Sequence, residues 1–136
     1  MKNSSISFFF VLFYSFWSMA QIPSRLQNYN SLINQAEVAI CDSNYSIAFE
    51  HYTKAFDLLE YPFAQDIYNA SICSIMIRDF QSTLQLSQRL VLKGCELEFF
   101  YKSSYKEFRK DKIKWSLFIK KYPFLRKEFL KNMTKI

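Results

Sequence analysis

Glycine occurs once in the 136 residues, at Gly94, and histidine once, at His51; proline and cysteine occur three times each. One glycine leaves no glycine-rich loop to cradle a phosphate. Sheets and loop-rich folds use glycine and proline at their turns, whereas helices on short connections need few. Cys41, Cys73 and Cys95 lie 32 and 22 positions apart with no CxxC, so no zinc clip is written here. Acidic residues stand singly, which excludes the spacing of a calcium loop and of a carboxylate pair. His51 sits between Glu50 and Tyr52, with Ile47, Ala48, Ala55 and Phe56 at helical spacing. No nucleophile or second base accompanies it, so it reads as a surface or hairpin-groove histidine. The expectation is a protein that is not an enzyme and uses neither cofactor nor metal.

What is present points to a helical core. Half of the residues are hydrophobic and 19% are aromatic, too apolar for a disordered chain and short enough for one domain. Lys2, the apolar run over 6–17 and Ser18-Met19-Ala20 have the order of an export signal, with cleavage expected between Ala20 and Gln21. The alternative is an uncleaved N-terminal anchor, although the run falls short of the ~20 residues that span a bilayer. No cysteine closely follows the run, so a bacterial lipoprotein anchor is not indicated. Residues 1–20 are therefore read as a signal peptide and 21–136 as the domain, placed outside the cytoplasm. Export sharpens the reading of the cysteines. They are either three small buried apolar residues, the favoured reading, or one disulfide plus a free thiol, with Cys41–Cys73 the pair.

Along the domain, Leu26, Tyr29, Ile33, Ala36 and Ile40 recur at helical spacing from Ser24 to Ser43, and Asp42-Ser43-Asn44 interrupts them. A second helix is expected from Tyr45 to Leu59, ended by Tyr61-Pro62. A third covers Ala64 to Ile77, a tight turn follows at Arg78-Asp79, and a fourth runs from Phe80 to Leu92 before Lys93-Gly94. Beyond Gly94, Leu97, Tyr101, Tyr105 and Phe108 form one helical stripe; Trp115, Phe118, Ile119 and Tyr122 form another. Pro123 is expected to break the chain before a last short helix carrying Leu125, Phe129 and Met133.

Tyr45, Ala48, Tyr52 and Ala55 follow the spacing of the second helix of a tetratricopeptide repeat, Ala36 takes the place of the small residue of the first helix, and Pro62 lies two residues late. Offset by 35, Ser71, Phe80, Thr83, Ser87 and Leu90 occupy equivalent places, with Ser87 and Leu90 departing from the pattern. Over Tyr29 to Cys95, about half of the chain, the sequence resembles that family. The resemblance implies an all-α fold of antiparallel helical hairpins stacked as a short TPR-like solenoid. Two hairpins would span 24–94, and basic capping helices would span 95–136 to close the apolar end of the stack. It also implies an interaction scaffold holding a peptide or partner protein in a groove lined by first helices. Asn34, Gln35, Glu37, Val38, Asp66, Asn69 and Met76 are the candidates for that lining.

Charge is segregated. From Gln21 to Tyr101 five basic residues face nine acidic ones; from Lys102 to Ile136 twelve basic residues face three. Lys106, Arg109, Lys110, Lys112, Lys114, Lys120 and Lys121 are interleaved with Tyr105, Phe108, Trp115 and Phe118. This layout suits an anionic polymer or lipid outside the cell, the second functional reading, and ranks nucleic acid below both for an exported chain. A plainer reading gives the aromatics to the core and the charges to a solvated face.

Overall fold

The computed structural model describes residues 24–135; the expected signal at 1–20 lies outside the described residues. All regular structure among them is helical. Helix α1 occupies 24–41, α2 Tyr45–Phe56, α3 Ala64–Met76 and α4 Phe80–Leu92. Two 3-10 turns, Leu97–Tyr101 and Ser103–Tyr105, lead into the short α5 (Lys106–Lys110) and the long α6 (Lys112–Met133). Each of α2, α3 and α4 packs on its sequence neighbour, and α6 lies along α4. No helix among the described residues is long and apolar enough to cross a membrane.

Two hairpin turns have the same construction. At the end of α1, Ser43 adopts φ 58°, and the Asn44 amide reaches back to the Ala39 carbonyl at 2.8 Å. At the end of α3, Arg78 adopts φ 61°, and the Asp79 amide reaches the Ser74 carbonyl at 2.8 Å. Left-handed residues with these back-bonds close a helix by satisfying its last carbonyls. The next residue in each case caps the following helix: Asn44 accepts from the Ile47 amide at 3.4 Å, and Asp79 from the Ser82 amide at 3.0 Å. Asp111 does the same for α6 through the Lys114 amide at 2.9 Å. Side-chain oxygens at these places satisfy amides that have no partner within the helix.

Helix α3 is the hub. Ile67, Ala70, Ser71, Cys73, Ser74 and Ile75 are all buried along it. Its small residues meet Ala48, Tyr52 and Ala55 of α2, likewise buried, and small side chains allow close approach of helix axes. Its polar groups are paired one to a neighbour. The Tyr29 hydroxyl of α1 donates to the buried Asp66 carboxylate and accepts from the Phe63 amide at 3.4 Å. Ser74 and Thr83 of α4 share a hydrogen bond of 2.7 Å, and Ser71 shares one of 2.6 Å with Tyr105.

Three expectations at the helix ends are corrected. Helix α2 stops at Phe56 rather than Leu59, because Asp57 and Leu58 close the turn and both Leu58 and Leu59 fold onto the core. The stripe Leu97–Phe108 is not one helix. Phe100, Tyr105 and Phe108 are all fully buried, with ring centroids of Phe100 and Phe118 4.7 Å apart and of Phe100 and Tyr105 5.2 Å apart. The Phe100 and Lys102 carbonyls are taken by the Arg109 guanidinium at 2.7 and 2.8 Å instead of helical amides. Finally, α6 runs through Pro123 without ending. Proline costs a helix interior about 3 kcal/mol, but buried Phe118 and Leu125 hold the chain on both sides of it. The Tyr122 hydroxyl also accepts from the Leu97 amide at 3.0 Å.

Gly94 is required where it stands. Its φ is 101°, and a Cβ there would come within 3.0 Å of the Phe129 ring. Arg126 secures the same corner, donating to the Gly94 carbonyl at 3.1 Å and to Glu96 at 2.9 Å while lying over Phe129.

The cysteines divide by position. All three are free thiols; Cys41 is exposed, Cys95 half-buried and Cys73 buried. The reading of three buried thiols thus holds for Cys73, partly for Cys95 and not for Cys41. The Cys41–Cys73 bridge is absent, since one side chain faces solvent and the other the core. Burial pushes the Cys73 thiol up to about 11.

Replacing Tyr29 by phenylalanine should leave the buried Asp66 carboxylate without its donor and lower stability by about 1–3 kcal/mol in urea unfolding; an unchanged midpoint would refute this role. Burial also pushes the Tyr52 phenol from 10.0 to about 12, and the Cys73 thiol stands at about 11 against an ordinary 9.0. Both folded-state values are raised, so their contribution is complete below the unfolded values and is lost as pH climbs through 11 and 12. The urea midpoint should therefore be level with respect to these two groups up to about pH 9 and fall above it. A thiol reagent should label Cys41 rapidly in the native protein, Cys95 more slowly and Cys73 only on unfolding. Rapid native labelling of Cys73 would contradict its placement.

Candidate functional site

Helix α1 has two faces of different character. Tyr29, Ile33, Ala36 and Ala39 point inward and are buried. The reverse face carries Gln27, Asn30, Ser31, Asn34, Gln35 and Val38, spaced so that they fall on neighbouring turns. Helix α2 repeats the division, burying Ala48, Tyr52 and Ala55 and turning Ile47 and His51 the other way. The two reverse faces, joined by Asp42 and Asn44, enclose an open groove of about 730 Å³.

Gln27, Asn30, Ser31, Asn34, Gln35 and Asn44 bring amides and a hydroxyl to a surface that is otherwise largely apolar, with Val38 62% exposed and Ile47 44%. Side-chain amides both donate and accept, so this surface can pair with extended backbone. His51 borders the groove half-buried, and its Nδ1 is shielded from solvent with no hydrogen-bond partner. A shielded polar atom without a partner is costly. No group of side chains that could hold a metal ion exists among the described residues. The groove thus presents side-chain amides, a hydroxyl and two exposed apolar side chains.

The structure brings three of the seven sequence-derived lining candidates together here: Asn34, Gln35 and Val38. Glu37 is exposed on α1 outside the groove lining. Asp66 is corrected: it is buried beneath Tyr29 and offers no face to a ligand. Its acidity serves the start of α3, where a carboxylate favours the positive end of the helix. Asn69 accepts from Gln65 at 3.0 Å, and Met76 lies exposed at the end of α3, away from the groove. Gln27, Asn30 and Ser31 were legible as polar residues opposite the Tyr29–Ile33–Ala36 stripe. His51, read as a surface or hairpin-groove histidine, borders the groove, whereas the contribution of Ile47 was not legible because it depends on how α2 folds back.

Of the seven basic candidates, four are engaged within the protein. Arg109 holds the Phe100 and Lys102 carbonyls and lies over Tyr101. Lys110 pairs with Glu107 at 2.6 Å, Lys114 bonds Gln81 at 2.6 Å and Lys121 bonds Gln88 at 3.0 Å. The Lys110 ammonium holds the Glu107 carboxyl below its usual range. Lys106, Lys112 and Lys120 remain exposed. The aromatics set among these charges do not share their exposure: Tyr105, Phe108 and Phe118 are buried and Trp115 is half-buried. They belong to the core, and the exposed rings of this region are Tyr101 and Phe124 instead.

No protein-family description, curated protein or solved structure matches this chain.

Proposed function

We propose that this protein is a non-enzymatic, exported interaction module, a short TPR-like stack of helical hairpins that holds a peptide or partner protein. The carrying observation is a recurrence at 35 residues in burial as well as in sequence. Tyr45 and Phe80 open α2 and α4, and Trp115 lies in the first turn of α6; all three are half-buried. Three residues on, Ala48, Thr83 and Phe118 are fully buried; ten on, Ala55, Leu90 and Leu125 are buried. The left-handed turn residues Ser43 and Arg78 obey the same interval. Recurrent environments at a fixed period are what stacking of equivalent units produces. On this reading α6 is the second helix of a third hairpin, whose first helix is replaced by the 3-10 turns and α5.

Among the described residues the groove between α1 and α2 is lined by these two helices and their turn alone, and its side-chain amides support an extended peptide as occupant. Recognition of this kind relies on short-range hydrogen bonds and resists screening, unlike charge-driven docking. Export rests on the first twenty residues and would leave Gln21 as the mature N-terminus.

The test is capture from a cell-envelope fraction at low and high salt, comparing wild type with Asn34→Ala/Val38→Asp. A discrete protein retained by wild type at high salt and lost, by at least about tenfold, from the variant is expected. Equal capture by both would remove the groove from the reading.

A further inference from the structure

The inward face of α6 is formed by Phe118, Tyr122, Leu125 and Phe129, all buried or half-buried against the protein. Half a turn round the same helix, Ile113, Leu117 and Phe124 point away from it; Ile113 is 73% exposed and Phe124 72%. Steps of four and seven residues keep these three on one stripe. Lys120, Lys127 and Lys131 fall on or beside that stripe by the same spacing and are exposed, and Glu128 is the one acidic residue of α6. Large apolar side chains thus stand out from a lysine-rich surface about 27 Å long, at 1.5 Å per residue from 113 to 131.

Beside the stripe lies a shallow pocket of about 370 Å³ between α4 and α6, with Leu84 and Gln88 on one wall and Leu117, Lys120, Lys121 and Phe124 on the other. Leu84 is nearly fully buried, and Lys121 is steadied at the rim by Gln88. The pocket therefore joins an apolar wall to ammonium groups.

We infer that the outward face of α6 docks on an anionic lipid bilayer, lying flat in the interface with Ile113, Leu117 and Phe124 inserted and Lys120, Lys121, Lys127 and Lys131 among the headgroups. A helix with this division of apolar and basic side chains settles at the boundary between headgroups and acyl chains. Lysine stems reach outward while their charges stay with the phosphates. A soluble polyanion would engage the lysines and leave the three apolar side chains in water, so the bilayer accounts for both halves of the face. Docking needs no unfolding, because the core face of α6 stays in place. This surface is separate from the α1–α2 groove, so either can fail without the other.

The full chain is sedimented with phosphatidylcholine vesicles and with vesicles also containing phosphatidylglycerol. Lys2, the apolar stretch at 6–17 and the basic residues outside α6 are common to every variant, so the difference between wild type and variant on the same vesicles isolates α6. Wild type should favour the anionic vesicles, and Lys120→Gln/Lys127→Gln/Lys131→Gln should lose at least about tenfold of that preference. Phe124→Ser should weaken anionic binding by about tenfold, and Phe124→Trp should show a blue shift on anionic vesicles beyond that of the wild type, whose own tryptophans are Trp17 and Trp115. All these positions are exposed, and unchanged circular dichroism melts will show the variants folded. Equal binding to both vesicles, a lysine variant that keeps its preference, or a Phe124→Trp signal shifted no further than that of the wild type would overturn the inference. So would binding through this face to an acidic protein in place of vesicles.

Discussion

The fold depends on α3 being enclosed without leaving a polar group stranded. Its side chains are small enough for α2 to approach closely, and each of its buried polar groups has one partner on a different element. Tyr29 ties α1 to its first turn, Thr83 ties α4 to its last, and Tyr105 closes the third side. Burying hydroxyls and a carboxylate is unfavourable unless each is bonded. These pairings therefore select one arrangement of neighbours from the many that apolar contact alone would allow. Phe63, which precedes α3, has no side-chain cap of its own, and the Tyr29 hydroxyl supplies the missing acceptor for its amide.

Around that hub the chain progresses by a repeated turn. Ser43 and Arg78 take a conformation that glycine adopts more easily, yet the sequence spends its one glycine at Gly94, where the Phe129 ring leaves no room for a Cβ. The αL residues at the first two turns are tolerated because the back-bonds from Asn44 and Asp79 and the caps beyond them over-determine the geometry. Beyond Gly94 the economy changes. Aromatic rings, rather than a regular backbone, fill the space beside α3, and Arg109 satisfies the carbonyls that a helix would have satisfied itself.

The two ends of the molecule differ in surface chemistry. The α1–α2 end offers amides, hydroxyls and two aliphatic side chains; the α6 side offers lysines and three large apolar residues. Four of the seven basic residues singled out in the tail brace the structure, through Gln81, Gln88, Glu107 and two backbone carbonyls. Their charge is therefore only partly available to a partner, and the free basic surface lies further along α6 than its densest sequence run.

The sequence by itself determined the four helices up to Gly94 and the turns between them, because side-chain periodicity and turn chemistry act over a few residues. Helix α4 begins and ends where the pattern places it, and α3 differs by one residue. It also determined which face of α1 is polar. The tertiary structure decided what depends on distant residues. Pro123 is read locally as a break, and only the burial of Phe118 and Leu125 shows why the helix continues. Asp66 is read locally as an accessible acid, and only Tyr29, 37 positions away, shows why it is not. The groove needed α2 to fold back before Ile47 and His51 could join Asn34 and Val38. Helical spacing is a local property, whereas the decision between core and surface for a given stripe belongs to whatever packs against it.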